Sequence, residues 1–508
     1  MNNIVAFDSE KELQKAVLQE KLKGTPDIEI GKKYGVSFRY IERLITKSRG
    51  INISALDVAK KIKTFFPKDF KEEQTTVWSF KSRGNWATHS GEYRGNWSPY
   101  IPRNVILKYS KPGEIVLDYF CGAGTTAVEA KLLGRRCIAF DINKEAIELA
   151  KKKLNFTIPP QYNPDVNITE FYEPEISVGD ARNLSCIKSN SIHLICAHPP
   201  YANIIQYTNS EEGDLSFCDV DEFLKEMVKV AKESYRVLKP GRQCAILIGD
   251  TRRNKYVIPL GFRLIDVFEK AGFKVKELII KRQHNCKTTG FWYENSIKFN
   301  FLLLMHEYLV IFEKPIHKIS CIYETKAGYT SLMPTLEKPL LKKKLKQLET
   351  TTVWILPEKD FESQLNKNVI ERYSKGNYLT ISFTKPEDLQ DPGTQKGKDL
   401  LFIKYPFDTY INIEVYLQKI KETIEKRSHA IIKNGFIVIQ ARDIRINGYV
   451  EPVAKKIVDM LKIDNLQLKE IIVVSKEKQK SECKDLNTSL EISHCYLLVY
   501  EKIKEMIL

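Results

Sequence analysis

The chain has 508 residues, of which 43% are hydrophobic and 28% charged, a composition typical of globular proteins. This length exceeds what one hydrophobic core usually serves, so we expect two or three domains. No apolar run reaches the roughly 18 residues that span a bilayer, and the first residues, MNNIVAFDSEKELQK, lack the features of a secretory signal. These observations exclude an integral membrane protein and predict a cytoplasmic protein, in the prokaryotic cytosol or nucleoid.

The charge balance is basic, with 80 Lys and Arg against 64 Asp and Glu, giving a net charge of +16. Because a basic protein concentrates polyanions near its surface, nucleic acid is the expected partner, with a merely solvated Lys-rich surface as the alternative. The ten cysteines never form a C-x-x-C pair. We therefore expect neither disulfides nor a metal site.

The first 65 residues differ from the rest and predict a helix-turn-helix. The stretch ELQKAVLQEKLKG is amphipathic, and IEIGKKYGVSFRYIERLITKSRG has the spacing of two short helices joined by a turn. The second of these helices would present Arg39 and Arg43 to DNA, while Ile41 and Leu44 pack inward. The same unit also occurs as a plain packing module, and this alternative stays open.

Apolar strand-like runs then alternate with amphipathic helices. The main runs are EIVLDYF (114–120), RCIAFDI (136–142), SIHLICA (191–197) and CAILIGD (244–250). This alternation predicts an α/β fold, in which an open and mostly parallel, Rossmann-like sheet is covered by helices on both faces. Ligands bind such sheets at the carboxyl ends of the strands.

Four sequence anchors recur in the same order in the second part of the chain. TTVW returns at 351–354, NVILKYSK returns as NVIERYSK, GRQCAILIGDTRRNKYVIP returns as GFIVIQARDIRINGYVEP, and HEYLVIFEK returns as HCYLLVYEK. The repeat predicts a duplicated domain. The expected boundaries are a first copy over 70–316, a linker over 317–344 and a second copy over 345–508.

The segment VLDYFCGAGTT is a strand that runs into a glycine turn and then a helix. Gly122 and Gly124 allow the backbone to turn sharply and to approach a ligand closely. Two acids follow where the next strands end, Asp141 in AFDIN and Asp180 in VGDARNL. The first suits ribose hydroxyls and the second an adenine amino group, so a nucleotide-like ligand is predicted. A dehydrogenase would instead show G-x-G-x-x-G.

A second motif, His198-Pro199-Pro200-Tyr201, follows the strand SIHLICA. Consecutive prolines fix the backbone, so the Pro199 carbonyl is presented as an acceptor at the edge of the sheet. Tyr201 supplies an aromatic face. The alternative is a loop that merely ends a strand.

Together these motifs resemble the amino-directed (N6-adenine or N4-cytosine) DNA methyltransferases, whose members carry F-x-G-x-G and [D/N/S]-P-P-[Y/F/W]; the resemblance covers residues 97–316. It implies S-adenosylmethionine as the cofactor, bound by Asp118, Phe120, Gly122, Gly124, Thr125, Asp141 and Asp180. It also implies a catalytic segment consisting of His198, Pro199, Pro200 and Tyr201. His198 replaces the usual Asp, Asn or Ser, which leaves the target base open.

The family resemblance implies methyl transfer to the exocyclic amine of a base flipped out of double-stranded DNA, with adenine N6 slightly favoured over cytosine N4. It also implies host protection beside a restriction endonuclease, and requires no metal. The rival enzyme is an RNA guanine-N2 or protein-glutamine methyltransferase, because these also pair a glycine loop with a Pro-Pro-Tyr motif. The rival non-enzyme is a DNA-binding regulator built on inert methyltransferase folds.

Several loops rich in basic and aromatic residues are candidates for DNA contact. Arg beside Trp or Tyr on irregular backbone is common where proteins bind phosphates and stack on bases. The candidates are Arg83, Trp86, Arg94, Trp97, Arg252, Arg253, Lys281 and Arg282. Packing at domain seams is the alternative for each.

The second copy has lost these motifs. In GNYLTISFTKPED (376–388), Phe383 aligns with Phe120, but Lys-Pro-Glu-Asp replaces the glycine turn, and IKYPFDTY (403–410) holds a single proline. We therefore expect a degenerate copy, which either pairs with the first copy, making the protein a monomer with an internal pseudo-dimer, or helps to hold DNA.

Overall fold

The computed structural model describes most of the chain. The described residues are 9–23, 25, 27–36, 40, 41, 44, 62–68, 70–91, 93, 95–159, 168, 170–201, 214–253, 255–284, 293, 296–298, 300–316, 349–382, 397–404, 412–463, 465–477 and 489–503. No helix in this described part has the length and apolarity needed to span a bilayer.

The chain folds into two compact units that differ from the boundaries expected from the sequence. Unit 1 comprises residues 1–68, 84–188 and 196–233. Unit 2 comprises 69–83, 189–195 and 234–508, so it takes only part of the expected first copy (70–316) and includes the whole expected second copy (345–508).

Two N-terminal helices have a small core of their own within unit 1. They are α1 (Glu10–Leu22), capped by the Ser9 side chain, and α2 (Asp27–Tyr34). Ile41 and Leu44 are buried against Val17 and Ile30, which is the inward packing that the sequence predicts. Arg39 and Arg43 lie outside the described residues, so the helix-turn-helix itself stays a prediction.

Parallel strands and helices make up the rest of unit 1. The strands β2 (Ile115–Asp118), β3 (Arg136–Asp141) and β4 (Glu175–Val178) pair in parallel in that order. The helices are α3 (Tyr100–Tyr109), α4 (Thr125–Leu132) and α5 (Lys144–Leu154). Helix α5 begins where it does because the Asn143 side chain accepts hydrogen bonds from the backbone N–H groups of Glu145 and Ala146. β5 (Ile192–Ala197), whose first four residues belong to unit 2, leads directly into His198, and α6 (Val220–Val237), whose last four residues belong to unit 2, follows.

Unit 2 contains two groups of strands with the same neighbour relationships. In the first, β1 (Val77–Ser79) pairs in parallel with β9 (Lys274–Arg282), and β10 (His306–Glu313) pairs antiparallel with both β9 and β6 (Leu238–Ile248). Helix α7 (Leu260–Lys270) precedes β9. Parallel and antiparallel pairs in one layer with helices confirm the predicted α/β class.

The second group forms a six-stranded sheet in the order β11-β17-β18-β14-β13-β12. Its strands are β11 (Val353–Leu356), β12 (Tyr378–Ser382), β13 (Lys398–Lys404), β14 (Ile431–Ala441), β17 (Leu466–Lys476) and β18 (His494–Lys502). Its helices are α8 (Phe361–Tyr373), α9 (Ile413–Arg427) and α10 (Val453–Met460). β11, β17, β18 and β14 therefore follow the order of β1, β9, β10 and β6. The degenerate motif positions at 383–388 and 405–410 lie outside the described residues.

A short hairpin extends from each group of strands, and the contacts of the two hairpins are reciprocal. The first hairpin is β7 (Thr251–Arg253) with β8 (Tyr256–Ile258), and the second is β15 (Ile444–Ile446) with β16 (Tyr449–Glu451). Arg252 of the first donates to Glu470 of β17 at 2.6 Å and to the Lys469 carbonyl at 3.0 Å. Arg445 of the second donates to Glu277 of β9 at 2.5 Å and to the Lys276 carbonyl at 2.9 Å.

Candidate active site

A cleft of about 740 Å³, open to solvent, lies in unit 1 beside the carboxyl ends of β2 and β3. Its wall combines aromatic side chains, carboxylates and backbone. The lining residues are Tyr93, Gly95, Asn96, Trp97, Tyr119, Phe120, Cys121, Gly122, Asp141, Ile142, Asn143, Gly179, Asp180, Ala181, His198, Pro200, Asp214 and Leu215. Both sequence motifs, the glycine turn and the Pro-Pro-Tyr segment, therefore reach one cleft.

Two carboxylates hold the glycine turn in shape. The Asp118 carboxylate accepts a hydrogen bond from the Phe120 backbone N–H at 3.0 Å, and the Asp141 carboxylate accepts one from the Gly122 backbone N–H at 2.8 Å. Gly122 has a φ of 48°, a left-handed conformation that side-chain-bearing residues rarely adopt. The turn thus depends on acids at the ends of two neighbouring strands.

Asp118 stabilises the glycine turn but does not line the cleft. Its side chain is 2% exposed, and burial raises its pKa to about 7, while hydrogen bonds from Thr126 and Phe120 act in the opposite direction. Thr125 is also buried and does not line the cleft. Asp118 therefore acts on the shape of the turn, and Thr125 is the first residue of the helix that follows it.

Asp141 does line the cleft, as the sequence predicts. Besides Gly122, its carboxylate accepts a hydrogen bond from the Asn143 backbone N–H at 2.9 Å. Asn143 in turn caps α5 and lines the cleft itself. One carboxylate thereby joins the glycine turn to the next helix.

Asp180 lines the cleft too, but its carboxylate is held by a neighbour that sequence reasoning did not consider. The Arg182 guanidinium donates to both Asp180 oxygens, at 3.0 and 2.6 Å, and also donates to Glu226 at 2.6 Å. Partial burial raises the pKa of Asp180, but the hydrogen bonds and charge of Arg182 outweigh this effect and lower it. The carboxylate is therefore ionised and fixed in direction.

Gly124 packs closely against a neighbouring helix. It precedes the first residue of α4 with a φ of 79°, and a Cβ built on it would lie 3.0 Å from the Ala150 Cβ of α5. The missing side chain thus makes room for a neighbouring helix, whereas the sequence interpretation gave this room to the ligand. Gly122, by contrast, faces the cleft wall at Tyr93.

The Pro-Pro-Tyr segment places His198 among aromatic rings. His198 and Pro200 line the cleft, while Pro199 is buried. The His198 Nε2 lies 2.8 Å from the Tyr201 hydroxyl. The His198 ring also stacks on Trp97, with ring centroids 5.5 Å apart and planes 17° apart. Trp97 is thus part of the cleft wall.

Several lining residues were not among the predicted site residues, and they include Tyr93, Asn96 and Asp214. Tyr93 lies between the two RGNW stretches and Asn96 lies within the second, whereas only the Arg and Trp residues of these stretches were named as candidate DNA contacts. Asp214 follows residues 202–213, which lie outside the described part, and its side chain caps a short 3₁₀ helix by accepting from Ser216 N–H at 2.8 Å. No local pattern marks Asp214.

Two of the predicted DNA contacts are engaged inside the protein. Trp86 is 2% exposed, and its indole N–H donates to Glu129 at 2.6 Å. Arg252 binds Glu470 and three backbone carbonyls. We assign both residues structural roles, because their donor groups point at buried protein acceptors.

The other basic candidates are distributed as follows. Lys281 pairs with Glu307 at 2.8 Å, and Arg83 and Arg282 are half-buried. Arg253 is exposed. Arg94 lies outside the described residues. Within the described part of the chain, no group of three or more His, Cys, Asp or Glu side chains is arranged to hold a metal ion.

A model of the DNA methylase family, which comprises the N6- and N4-directed enzymes, matches residues 29–152 and 192–392, more than half of the chain. The chain belongs to this family. Both cleft motifs lie within the matched residues. S-adenosylmethionine is therefore the cofactor of this chain.

Individual relatives share shorter stretches. The type II methyltransferase M2.LlaDCHI of Lactococcus lactis subsp. cremoris is 38% identical over 93 residues, which is 17% of this chain and 34% of that protein. M2.DpnII of Streptococcus pneumoniae is 33% identical over 101 residues, covering 19% and 38%. The match thus spans little more than a third of the length of these curated relatives.

Two further similarities are to a tRNA methyltransferase and to a solved structure. A tRNA (guanine(10)-N2)-dimethyltransferase of Methanothermobacter thermautotrophicus is 32% identical over 110 residues, covering 22% of this chain and 29% of that protein. The crystal structure of a SAM-dependent methyltransferase from Methanosarcina mazei is 18% identical, with a TM-score of 0.29, and covers 42% of this chain and 98% of that one.

The residues of the cleft fit S-adenosylmethionine. Three carboxylates, Asp141, Asp180 and Asp214, line it, and none of the described lining residues is Lys or Arg. Such a set of acceptors suits ribose hydroxyls, an adenine amino group and a positively charged sulfonium, and it disfavours a phosphate. The aromatic wall formed by Tyr93, Phe120 and its neighbours provides apolar surface for a ligand ring.

Proposed function

We propose that the chain transfers a methyl group from S-adenosylmethionine to the exocyclic amino group of a base flipped out of double-stranded DNA. As the target, we favour adenine N6 slightly over cytosine N4. The observation that carries the proposal is the meeting of His198 and Pro200 with Phe120, Gly122 and Asp141 in one cleft.

The chain's residues supply what such a reaction needs from the protein. Bound S-adenosylmethionine supplies an electrophilic methyl group. An exocyclic amine is a poor nucleophile because its lone pair is delocalised into the ring, so acceptors have to hold its N–H groups. The Pro199 carbonyl and the His198 ring are our candidates for these acceptors, since a neutral imidazole has one acceptor nitrogen.

Aromatic surface beside these acceptors supports base flipping. A duplex base reaches a pocket of this kind only by leaving the stack, which costs a few kcal/mol of stacking and pairing. Tyr201 and Trp97, which both contact His198, offer rings that would replace part of this stacking. No covalent nucleophile is needed.

DNA binding rests on the N-terminal helices and on the net charge of +16. Arg39 and Arg43 would contact DNA from the helix-turn-helix, and Arg253 offers an exposed guanidinium in the β7–β8 hairpin. A cognate restriction endonuclease and a cytosolic location stay predictions.

RNA is the second candidate substrate because the similar tRNA (guanine(10)-N2)-dimethyltransferase also modifies an exocyclic amine. The deciding experiment incubates the full chain with radiolabelled S-adenosylmethionine and either duplex DNA or tRNA. We expect label in DNA only, and sequencing of the modified bases to find N6-methyladenine. An Asp141→Ala variant is the control for cofactor-dependent labelling. Label confined to tRNA would overturn the proposal, and cofactor binding without any transfer would favour a regulator.

We further propose that residues 345–508 are a degenerate second copy that pairs with the first as an internal pseudo-dimer. The shared strand order and the reciprocal Arg252–Glu470 and Arg445–Glu277 pairs support this reading. A contact in which each copy offers the other the same surface is the arrangement of a symmetric dimer.

Two measurements test the second copy. Calorimetry should find one S-adenosylmethionine bound per chain, because the second copy lacks the glycine turn, and two bound molecules would contradict its degeneracy. In addition, a protease site inserted within 317–344 allows the full chain to be cut after folding. The two halves should still co-elute in gel filtration. Their separation would show that the linker, and not the interface, keeps them together.

A further inference from the structure

The Glu129 carboxylate lies outside the cleft and accepts hydrogen bonds from three residues that flank a cleft-lining stretch of chain. Glu129 lies in α4, the helix that follows the glycine turn, and its side chain is fully buried. It accepts hydrogen bonds from the Trp86 indole at 2.6 Å, from His89 Nε2 at 2.7 Å and from the Arg103 guanidinium at 2.9 Å.

The three donors keep Glu129 ionised despite its burial. Burial by itself raises the pKa of Glu129, but the charge of Arg103 and the hydrogen bonds from His89 and Trp86 outweigh it, and the net pKa is lowered. Because an ionised carboxylate only accepts hydrogen bonds, His89 Nε2 carries the proton here. A buried charge satisfied in this way is costly to disturb from either side.

Glu129 holds both ends of one stretch of chain, residues 86–103, which we name the cover segment. Trp86 and His89 lie at its start, and Arg103 lies at its end in α3. Its middle part supplies Tyr93, Asn96 and Trp97 to the cleft wall. Tyr93 and Asn96 face the glycine turn, since a Cβ on Gly122 would lie 3.1 Å from the Tyr93 ring and 3.7 Å from the Asn96 Oδ1.

We propose that Glu129 is a positioning residue for the cofactor. By fastening both ends of the cover segment to the helix of the glycine turn, it holds Tyr93 and Asn96 over the ligand, and Trp97 against His198. The inference rests on the proposed function. It adds that the Glu129 carboxylate, which does not line the cleft, controls cofactor affinity by holding the cover segment in place.

The test compares Glu129→Gln with the wild-type full chain. A glutamine keeps one acceptor oxygen but turns an NH₂ group towards a donor, so at least one of the three bonds is lost. We expect affinity for S-adenosylmethionine to fall at least tenfold by calorimetry. Hydrogen exchange of residues 86–103 should rise and should no longer be slowed by the cofactor.

Glu470→Gln is the matched control, because Glu470 is equally buried and paired with Arg252 but lies in unit 2. It should lower the melting temperature and leave cofactor affinity unchanged. If Glu129→Gln does not fold, Trp86→Phe decides, since it removes one donor and keeps a ring, and it should lower affinity three- to tenfold. Wild-type affinity and exchange in the folded variant would overturn the inference and leave the proposed function intact. Absence of binding by the wild type would instead defeat the proposed function.

Discussion

The Thr76 hydroxyl lies 2.8 Å from Nδ1 of His494, although 418 positions separate the two residues in the chain. The equivalent contact joins the matching residues of the repeat: the Thr352 hydroxyl lies 2.9 Å from Nδ1 of His306. Each His continues to a Tyr two residues later, Tyr496 at 2.9 Å and Tyr308 at 3.1 Å. Each TTVW anchor thus meets the H-x-Y anchor of the other group of strands.

The buried ion pairs of unit 2 predict a large stability effect. Glu470→Ala leaves the Arg252 guanidinium without its carboxylate in a nearly dry environment, and we expect a loss of about 3–5 kcal/mol in the free energy of unfolding. Urea denaturation measures it. The control is Glu358→Ala, since Glu358 is half exposed and pairs with Lys476 at 3.3 Å. This variant should change stability by less than about 1 kcal/mol. Equal effects of the two variants would contradict the structural role of Arg252.

Asp250 predicts a pH-dependent term in stability. Burial raises its pKa to about 7, against which the hydrogen bonds from Gly261 and Tyr308 and the charge of Arg252 act only in part. A raised pKa means that the folded state binds the proton more tightly, so this group stabilises the fold below about pH 4 and loses its contribution as the pH rises to about 7. Each pKa unit corresponds to about 1.4 kcal/mol. The unfolding free energy of wild type minus that of Asp250→Asn should therefore fall between pH 4 and 7.

His306 serves as a control, because its contribution to the free energy of unfolding should change with pH in the opposite direction. Burial lowers its pKa to about 4, partly opposed by the charge of Glu307, so the folded state prefers the neutral ring. Its contribution is present above about pH 6.5 and is lost as the pH falls to about 4. Wild type minus His306→Gln should thus rise with pH over the range in which wild type minus Asp250→Asn falls. Parallel slopes would show that one of the two groups is not buried as described.

The two glycines of the turn predict different defects. In both Gly122→Ala and Gly124→Ala, a side chain is forced into a left-handed conformation, which costs roughly 1–2 kcal/mol. Gly124→Ala also presses on Ala150 of α5 and should mainly lower stability. Gly122→Ala presses on Tyr93 and should lower cofactor affinity at least tenfold. Thermal melts and calorimetry separate these effects, and an unchanged affinity in Gly122→Ala would remove this residue from the cofactor site.

His198 predicts a graded effect on methyl transfer. His198→Asn keeps an acceptor and should retain more activity than His198→Ala, for which we expect at least a tenfold loss in the single-turnover rate. Tyr201→Phe is the companion variant, because it removes the hydroxyl that lies 2.8 Å from Nε2 and keeps the ring. A near-normal rate in His198→Ala would mean that the Pro199 carbonyl does the accepting alone.

Local patterns in the sequence determined much of the site. The strand, glycine turn and helix around Gly122, and the acid at the end of β3, are signalled within a few residues of each other, since strand alternation, glycine conformation and helix caps are local effects. The repeat was visible because its anchors, such as TTVW, are short runs of neighbouring residues. The TTVW and H-x-Y anchors keep their identity because the same contacts use them twice.

The tertiary structure decided what depends on residues that are distant in the sequence. Nothing local distinguishes Trp86 or Arg252 from a DNA-contacting side chain; their acceptors, Glu129 and Glu470, are 43 and 218 positions away. Gly124 has no room for a side chain because Ala150 of α5 lies against it, and tertiary packing sets the position of α5. A side chain's role follows from the groups that surround it, and for these residues the surroundings are assembled only when separate segments pack and exclude water from their polar groups.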